Sequence, residues 1–380
     1  MVARQNIIDK INRKILGDDE AKRVLKVLRS GYLSKPDGGP MVLKFQKLMA
    51  IAHGKKYSFA VTSGTAALHC AIVALNLKPN DEVIVPALSN IADCSVIMQE
   101  GGTPVFVDVD PADFNIDAQK IEEKINKKTK AIIVVHMYGQ PAKIKEIKKI
   151  TDQYNLILIE DCAQAAGARY NGRYVGSFGD ISCFSFYQTK HIICGEGGMI
   201  MTNNSKFARI ITSVANNGIV KENLDAFDYD RVGYNYQMPE MEAALGIEQF
   251  YKLDRNNLKR RNNAKKFKKL LSDLDIHFQI SYEFTEAAYF YLTGLLPQHL
   301  KSKREEFINI VKKFHAPIKK LYPMSLPEVT LFKNKTYYNC PAAKDITKRI
   351  FNLYVNPGLN NVDIEFMASA VRKAYGLINS

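Results

Sequence analysis

The run Leu156-Ile157-Leu158-Ile159-Glu160-Asp161 begins with four apolar residues and ends in two carboxylates. Short continuous runs of this kind are typical of strands that are buried on both faces of a parallel sheet. Comparable runs occupy residues 58–61, 82–85, 104–109, 131–135, 181–186 and 198–202. Helical patterns separate several of them, and this alternation predicts an α/β fold with a mostly parallel sheet between helices.

The C-terminal third of the chain has a different pattern. One long helix is predicted from Pro239 to about Leu271, and a closing helix from Asp363 to Tyr375. Weaker strands and a charged helix lie between them. We therefore predict a large domain over residues 1–250 and a smaller C-terminal α+β domain over residues 251–380.

The composition excludes several classes of protein. The 380 residues are 46% hydrophobic, which is enough for large cores, yet no run reaches the ~18 apolar residues of a membrane helix. Residues 1–6 lack the charged-then-apolar layout of a secretory signal. Six scattered cysteines form no C-x-x-C pair and have no histidines at zinc spacing. These features predict a soluble cytoplasmic protein without a metal site.

The formal net charge of +14 raises the question of a nucleic-acid partner. The lysines are spread over helical-looking stretches such as 120–130 and 259–269, and no zinc finger, RNA-recognition signature or basic arm accompanies them. We interpret them as solvated helix faces and expect neither nucleic acid nor a membrane as a partner. An anionic substrate is compatible with this charge.

Lys190 ends the segment Ser185-Phe186-Tyr187-Gln188-Thr189-Lys190 and is followed by Gly195-Glu196-Gly197-Gly198. A lysine in a special setting can form a Schiff base, and a strand-end carboxylate such as Asp161 suits a protonated pyridine nitrogen. Together they indicate pyridoxal phosphate as the cofactor. Gln164 can reach the same cofactor from the turn after Asp161. Alone, an aspartate in the position of Asp161 is more often a cap of the following turn.

A second stretch, Thr62-Ser63-Gly64-Thr65-Ala66-Ala67-Leu68-His69, follows a predicted strand and enters an apolar helix. A glycine and hydroxyls at a helix N-terminus offer N–H groups and a favourable dipole to a phosphate. Ordinary N-capping by Ser63 or Thr65 explains the same residues. In a chain that also carries a Schiff-base lysine, this stretch is predicted to hold the cofactor phosphate, with Ser185 adding a hydroxyl.

Taken together, these segments resemble the DegT/DnrJ/StrS family of sugar aminotransferases, which are pyridoxal-phosphate enzymes of fold type I, the aspartate-aminotransferase fold. The resemblance extends from residue 20 to residue 265 with the right order and spacing. The matching stretches are residues 63–68, 81–86, 104–110, 136–141, 160–164, 185–190 and 232–236.

The resemblance implies a role for each matching residue. Lys190 is the Schiff-base lysine, Asp161 the partner of the pyridine nitrogen, and Gln164 a further cofactor contact. Asn235 corresponds to the asparagine that reaches the phosphate of the neighbouring subunit, which implies a homodimer with shared active sites; taken alone, it reads as a turn residue. The residues expected to hold the phosphate within one subunit are Gly64, Thr65, Ala66 and Ser185.

Two positions depart from the family pattern. The family places an aromatic ring over the cofactor where this chain has Asn90, so stacking is either lost or supplied by another residue. It also places an arginine where this chain has Gln237. A sugar-3-dehydratase branch of the family replaces the Schiff-base lysine by histidine. Here His191 is only adjacent, and Lys190 holds the matching position, as in the aminotransferases.

The resemblance implies a ping-pong transamination in which an L-amino acid, expected to be glutamate, supplies an amino group to a keto-sugar. The expected acceptor is a nucleotide-linked 3- or 4-keto-6-deoxyhexose, used in amino-sugar biosynthesis. A non-nucleotide keto-sugar acid, a cyclitol ketone or a pyridoxal-phosphate-dependent sugar dehydratase reaction remain alternatives. A non-catalytic, cofactor-binding regulator is a further one, against which the set of Lys190, Asp161 and Gln164 argues.

Overall fold

A computed structural model describes residues 7–9, 11, 15–35, 38–223, 226–333 and 339–380. Residues 1–6, on which the argument against a secretory signal rests, lie outside these ranges. Within them, no helix has both the length and the apolarity that crossing a membrane requires.

The first two-thirds of the chain alternate strands with helices, as predicted. The helices are α1 (Asp18–Ser30), α2 (Pro40–His53), α3 (Gly64–Ala74), α4 (Ala92–Gln99), α5 (Ile144–Gln153), α6 (Ser205–Ala215), α7 (Glu240–Tyr251) and α8 (Leu253–Leu270). The strands are β1 (Tyr57–Val61), β2 (Glu82–Pro86), β3 (Thr103–Val107), β4 (Thr129–Val135), β5 (Ile157–Asp161), β6 (Arg169–Tyr170), β7 (Arg173–Tyr174), β8 (Ile181–Ser185), β9 (Gly198–Thr202), β10 (Ile219–Asn223) and β11 (Ala226–Tyr229).

Seven of these strands form the central sheet, in the order β1-β9-β8-β5-β4-β2-β3. The neighbours β3, β2, β4, β5 and β8 pair in parallel, whereas β9 runs antiparallel to both β8 and β1. The predicted mostly parallel sheet is therefore confirmed. Pairing with neighbours adjusts the strand ends: β4 begins at Thr129 because that residue pairs with Glu82.

Helix α3 is held tightly against the sheet by small side chains. Its buried residues include Ala66, Ala67, Ala71 and Ala74, and their small volume lets the helix backbone approach β8 and β9 closely. The burial of this face, at about 25 cal/mol per Å² of apolar surface, stabilises the packing. The N-terminus of α3 is consequently fixed at one edge of the sheet.

The predicted single helix from Pro239 to about Leu271 is wrong, because α7 and α8 are separate and meet at Lys252. At this break the ammonium group of Lys252 lies 2.8 Å from both carboxylate oxygens of Glu20. Glu20 belongs to α1 and also accepts a hydrogen bond of 2.7 Å from Gln249. The break between α7 and α8 thus lies where α1, from the N-terminal part of the chain, contacts Gln249 and Lys252.

The lysine-rich stretch 120–130 is not an α-helix either. It contains two single turns of 3₁₀-helix, Ala118–Lys120 and Glu122–Lys124. Asp117 caps the first turn by accepting the Gln119 N–H, and the chain then turns directly into β4, which leaves too little length for an α-helix.

The remaining chain forms a second, antiparallel sheet with its own core. The sheet order is β12-β14-β16-β15; α8 contributes Ala264 and Phe267 to this core, and Leu271 just after the helix also belongs to it. Helix α11 confirms the predicted closing helix. The boundary at residue 250 stays a prediction. The elements are β12 (His277–Phe278), β13 (Thr285–Glu286), β14 (Leu292–Leu295), α9 (Arg304–Lys313), β15 (Ile318–Lys319), α10 (Pro341–Arg349), β16 (Ile350–Leu353) and α11 (Asn361–Asn379).

Candidate active site

The carboxyl ends of β1, β2, β4, β5 and β8 lie along one edge of the central sheet, because these strands run in the same direction. Ligands of open α/β sheets bind at this edge. The predicted site residues other than Asn235 all lie at one of these strand ends or shortly after it: they are Gly64, Thr65, Ala66, Asn90, Asp161, Gln164, Ser185 and Lys190.

The N-terminus of α3 opens onto this edge. The hydroxyl oxygen of Ser63 accepts the Ala66 N–H at 3.0 Å, which is the N-capping that the sequence allowed. The first backbone bond of the helix runs from the Ala67 N–H to the Ser63 carbonyl. The N–H groups of Gly64 and Thr65 are therefore not used inside the helix, and they can bind an anion at its positive end.

Gly64 and Ser185 are in close contact across this edge. A Cβ on Gly64 would lie 2.7 Å from Cβ and 3.2 Å from Oγ of Ser185. The loop between β8 and β9 is held to the same place, since Ser63 and Gly197 form a parallel β-bridge. This loop carries Lys190, so the lysine and the helix N-terminus are positioned by one set of backbone contacts.

Lys190 lies in a cleft at this edge of the sheet, and protein atoms surround its amine on most sides. Its Nζ lies 4.8 Å from the ring centroid of Phe290. Loss of hydration lowers the pKa of Lys190, and the carboxylates of Asp161 and Asp93 only partly oppose this effect. A lowered pKa increases the uncharged fraction of the amine, which is the form that attacks an aldehyde.

Asp161 ends β5 and is buried. Burial raises its pKa, against the Ala163 N–H that donates to its Oδ1 at 2.8 Å and against the charge of Lys190. Asp161 has an acidic neighbour that the sequence did not indicate, Asp93 of α4. The side chains of Asp93 and Asp161 are in hydrogen-bond contact, and the Ser89 hydroxyl donates to Asp93 Oδ2.

Gln164 is oriented by contacts at both ends of its amide. Its Oε1 accepts the Tyr138 N–H at 3.1 Å, and its Nε2 donates to the Tyr322 hydroxyl at 3.0 Å. The side chain of Asn90 also interacts with the Tyr322 hydroxyl. An aromatic ring from the C-terminal part of the chain therefore lies beside the position where the family pattern has its stacking ring.

The segment that carries Tyr322 is fixed to the central sheet. The Leu326 N–H donates to the Ala87 carbonyl, just after β2, at 2.8 Å. Tyr322 itself has a positive φ of 59°, which an L-residue adopts at some energetic cost. Tyr322 and Phe290 were missed in the sequence because nothing local distinguishes them from other buried aromatic residues.

His136, Glu160 and Cys162 form a buried cluster behind Asp161. The carboxylate of Glu160 accepts N–H bonds of 2.8, 2.8 and 2.5 Å from Gly176, Phe178 and Gly179, and His136 Nε2 lies 3.2 Å from it. Although burial alone would raise the pKa of Glu160, these hydrogen bonds and the nearby charges lower it to about 2. These hydrogen bonds fix the turn after β5, and both ring nitrogens of His136 are engaged, with Glu160 and with the Ala142 N–H.

The remaining predicted positions lie outside this cleft or point away from it. Asn235 is exposed, and its backbone forms a bridge with Asn216. Gln237 donates to the side-chain oxygen of Asn216. His191 is buried, with its Nε2 3.2 Å from the Ala288 carbonyl, and burial lowers its pKa.

A cavity of about 590 Å³ is lined in part by the segment that precedes Lys190. Its lining includes Thr189 and Phe290, the neighbours of Lys190 in sequence and in space. This volume falls within the roughly 300–1,000 Å³ of small-molecule sites. The charged residues of the lining, three lysines and one glutamate, favour an anionic ligand; they are Lys312, Lys319, Lys320 and Glu305.

These residues fit pyridoxal phosphate. The open N–H groups of Gly64 and Thr65 suit the phosphate, and the close approach of Gly64 to Ser185 leaves room for it only while residue 64 lacks a side chain. The amine of Lys190 suits the aldehyde, and the buried carboxyl of Asp161 suits the ring nitrogen.

Comparison with known proteins agrees with this assignment. The sequence profile of the DegT/DnrJ/EryC1/StrS aminotransferase family matches residues 14–372. The chain is 34% identical over 357 residues to the GDP-perosamine synthase of Escherichia coli O157:H7, covering 94% of this chain and 95% of the relative. It is 34% identical over 327 residues to the UDP-N-acetyl-3-dehydro-alpha-D-glucosamine 3-aminotransferase of Acidithiobacillus ferrooxidans, covering 86% and 85%.

A solved structure extends the comparison to three dimensions. The aminotransferase from Psychrobacter cryohalolentis is 29% identical and superposes with a TM-score of 0.89, covering 96% of this chain and 98% of that one. Fold and site therefore define a fold-type-I, pyridoxal-phosphate-dependent transaminase. The chain belongs to the DegT/DnrJ/EryC1/StrS aminotransferase family and is a sugar aminotransferase.

Proposed function

We propose that this protein transfers the amino group of L-glutamate to a nucleotide-linked 3- or 4-keto-sugar. The observation that carries the proposal is a cavity with a net positive lining that includes Thr189 and Phe290, the neighbours of Lys190. The diphosphate of a nucleotide sugar would be attracted by Lys312, Lys319 and Lys320. Two relatives support this class of substrate, since their names specify a GDP-linked product and a UDP-linked keto-sugar.

In the proposed reaction, Lys190 would hold pyridoxal phosphate through its side-chain amine until an amino donor binds. The Lys190 amine, once free, would act as the base that takes the proton from the donor Cα and as the acid that returns a proton when the keto-sugar is bound. Asp161 keeps the ring nitrogen protonated, and Gln164 and the N-terminus of α3 orient the ring and phosphate. Bound pyridoxal phosphate supplies the electron sink for these steps. The net products are 2-oxoglutarate and an amino-sugar, so no oxidant is needed.

The exposed Asn235 supports a homodimer in which this residue reaches the partner's phosphate site. Val232 and Tyr229, close to it in sequence, are 78% and 60% exposed, and exposed apolar groups of this kind mark protein interfaces. Mixing inactive Lys190→Ala subunits with Asn235→Ala subunits should restore activity through one intact site per mixed dimer. Absence of any recovery in verified mixed dimers would reject shared sites. We also propose that the enzyme acts in the cytoplasm.

Absorbance of the cofactor-loaded protein tests the amino-transfer proposal. Glutamate should bleach the band of the lysine-bound cofactor, and a ketone that is a true acceptor should restore it. Sugars linked to GDP or UDP and the matching free keto-sugars form the panel. A band that does not respond to glutamate or glutamine would reject transamination, and recovery with free sugars only would reject the nucleotide-linked acceptor.

Borohydride reduction tests the role of Lys190. Reduction should fix the cofactor on the peptide that contains Lys190, as seen by mass spectrometry. Lys190→Ala should lose both the adduct and turnover, whereas Lys47→Ala, which changes an exposed lysine of α2, should lose neither. Substantial transamination by Lys190→Ala would contradict the assignment.

A further inference from the structure

Asp93 is a buried carboxyl group to which the proposed reaction gives no role. The residue is 0% exposed. Its Oδ2 accepts the hydroxyl hydrogen of Ser89, whereas its Oδ1 has no hydrogen-bond donor among the described residues. A buried ionised carboxylate requires several donors or a close cation, so these surroundings favour the neutral acid.

Asp93 and Asp161 lie so close together that one of the two carboxyl groups must carry a proton. The two carboxyl groups are in hydrogen-bond contact, and two ionised carboxylates cannot remain this close in a buried site. Asp161 has the better surroundings for the charge, because its Oδ1 accepts the Ala163 N–H at 2.8 Å. Burial and the negative charge of Asp161 both raise the pKa of Asp93.

The other titratable groups around Asp93 do not change this balance near neutral pH. Burial raises the pKa of Cys94, Cys183 and Tyr322, so all three stay neutral. Lys190 is the cation that faces the pair, and it acts on both carboxyl groups. One negative charge opposite one cation is thus the arrangement with the lowest electrostatic cost.

We propose that Asp93 is a positioning residue of the cofactor site, which carries a proton on Oδ1 and donates it to Asp161. The inference rests on the proposed function for its cofactor. An ionised carboxylate has about four acceptor positions, so Asp161 can accept from Ala163, from Asp93 and from a protonated ring nitrogen together. Asp93 thereby fixes the direction of the Asp161 carboxylate, and the pair presents one negative charge to the ring.

Infrared spectroscopy of the cofactor-free protein locates the proton directly. At about pH 8 the wild type should show the carbonyl stretch of a protonated carboxylic acid, which ordinary aspartates do not have at this pH. The band should disappear in Asp93→Asn and remain in Asp113→Asn, because Asp113, whose pKa burial raises to about 6, is ionised there. A wild type without the band, or a band that persists in Asp93→Asn and is lost in Asp161→Asn, would overturn the proposal.

Cofactor titration of two variants tests the positioning role. The amide of Asp93→Asn can still donate to Asp161, whereas Asp93→Leu has similar bulk and no donor. We expect Asp93→Leu to bind pyridoxal phosphate at least about tenfold more weakly than Asp93→Asn, the loss of one hydrogen bond to a charged group. Equal affinities would overturn the role. If Asp93→Leu does not fold, the infrared comparison of the wild type with Asp93→Asn still shows whether Asp93 carries the proton.

The outcomes separate this inference from the proposed function. The infrared bands and the cofactor affinities are measured without donor or acceptor. A protein that shows the shared proton yet responds to no keto-sugar would contradict only the substrate proposal. A protein that transaminates normally and lacks the carboxylic-acid band would contradict only the role of Asp93.

Discussion

The Nε2 amide of Gln164 donates a hydrogen bond of 3.0 Å to the hydroxyl oxygen of Tyr322. The Oε1 of the same amide accepts the Tyr138 N–H at 3.1 Å, so both ends of the side chain are fixed. A residue of the C-terminal part thus orients a predicted cofactor contact that follows β5.

Tyr322→Phe removes this hydrogen bond and keeps the ring. A typical net hydrogen bond contributes about 0.5–1.5 kcal/mol, so the affinity for pyridoxal phosphate should fall by about two- to tenfold in an absorbance titration. Tyr154→Phe, which alters an exposed tyrosine after α5, is the matched control. Equal affinities of the two variants would show that Gln164 keeps its orientation without Tyr322.

Gly64→Ala should weaken cofactor binding, because the new Cβ would lie 2.7 Å from Cβ of Ser185. Overpacking of this kind costs about 1–3 kcal/mol, and the displaced Ser185 and helix N-terminus lose phosphate contacts. Equilibrium dialysis with pyridoxal phosphate measures the effect. Gly376→Ala is the control: nothing lies within 4 Å of its Cβ, and helix α11 should gain about 1 kcal/mol of stability. Unchanged affinity in Gly64→Ala would remove residue 64 from the phosphate site.

Lys190 should react as an uncharged amine at lower pH than an ordinary lysine. Loss of hydration lowers its pKa, whereas the carboxylates of Asp161 and Asp93 raise it. Reductive methylation of the cofactor-free protein, followed residue by residue in mass spectra, should show a midpoint for Lys190 below the ~10.4 of free lysine. Asp161→Asn should lower this midpoint further, because it removes a negative charge. The exposed Lys47 serves as reference, and a shared midpoint would refute the effect.

Asp93 should make the cofactor-free protein less stable as pH rises. Its pKa is raised in the folded state, so above about pH 4 the folded protein holds a proton that the unfolded chain releases. The native state then binds more protons, and the free energy of unfolding falls with increasing pH. Asp93→Asn should flatten this slope in urea titrations from pH 5 to 8. A slope identical to that of the wild type would mean that Asp93 ionises normally.

Glu160 should have the opposite pH dependence. Burial alone would raise its pKa, but the hydrogen bond from His136 and the nearby charges lower it to about 2. The folded state therefore gains stability above about pH 4.5 and loses it as the pH falls towards 2, on the order of 3 kcal/mol in all. Glu160→Gln should be less stable at pH 7 and should lose little more on acidification. A steep acid transition in this variant would assign the effect to other groups.

The residues that sequence patterns could identify are those whose signal is local. The apolar run of β5 and its terminal Asp161 are contiguous, and a run of this kind forms a buried strand in most surroundings. Lys190 and the glycine-containing start of α3 likewise have recognisable neighbours in sequence. Local sequence patterns therefore suffice to predict the central sheet and most of the residues that we assign to the site at its edge.

The features that were missed depend on contacts between distant parts of the chain. Asp93 is an ordinary acidic residue of α4 until the fold places it against Asp161. Tyr322 acquires its partner Gln164 only through the anchoring of its segment to Ala87. Similarly, the break between α7 and α8 at Lys252 has no glycine or proline to announce it, and it depends on Glu20. No local pattern encodes such pairs.

The hydrogen bond from Leu326 to Ala87 also has a consequence for the order of events during synthesis. Lys190, Asp161 and the start of α3 leave the ribosome well before Tyr322 and Leu326 do. A nascent chain that has been synthesised only as far as Lys190 contains Asp161 but lacks Tyr322, so one wall of its cofactor pocket is missing. We therefore expect firm retention of the cofactor only after translation has passed residue 326, which would make cofactor loading a late step in the maturation of this enzyme.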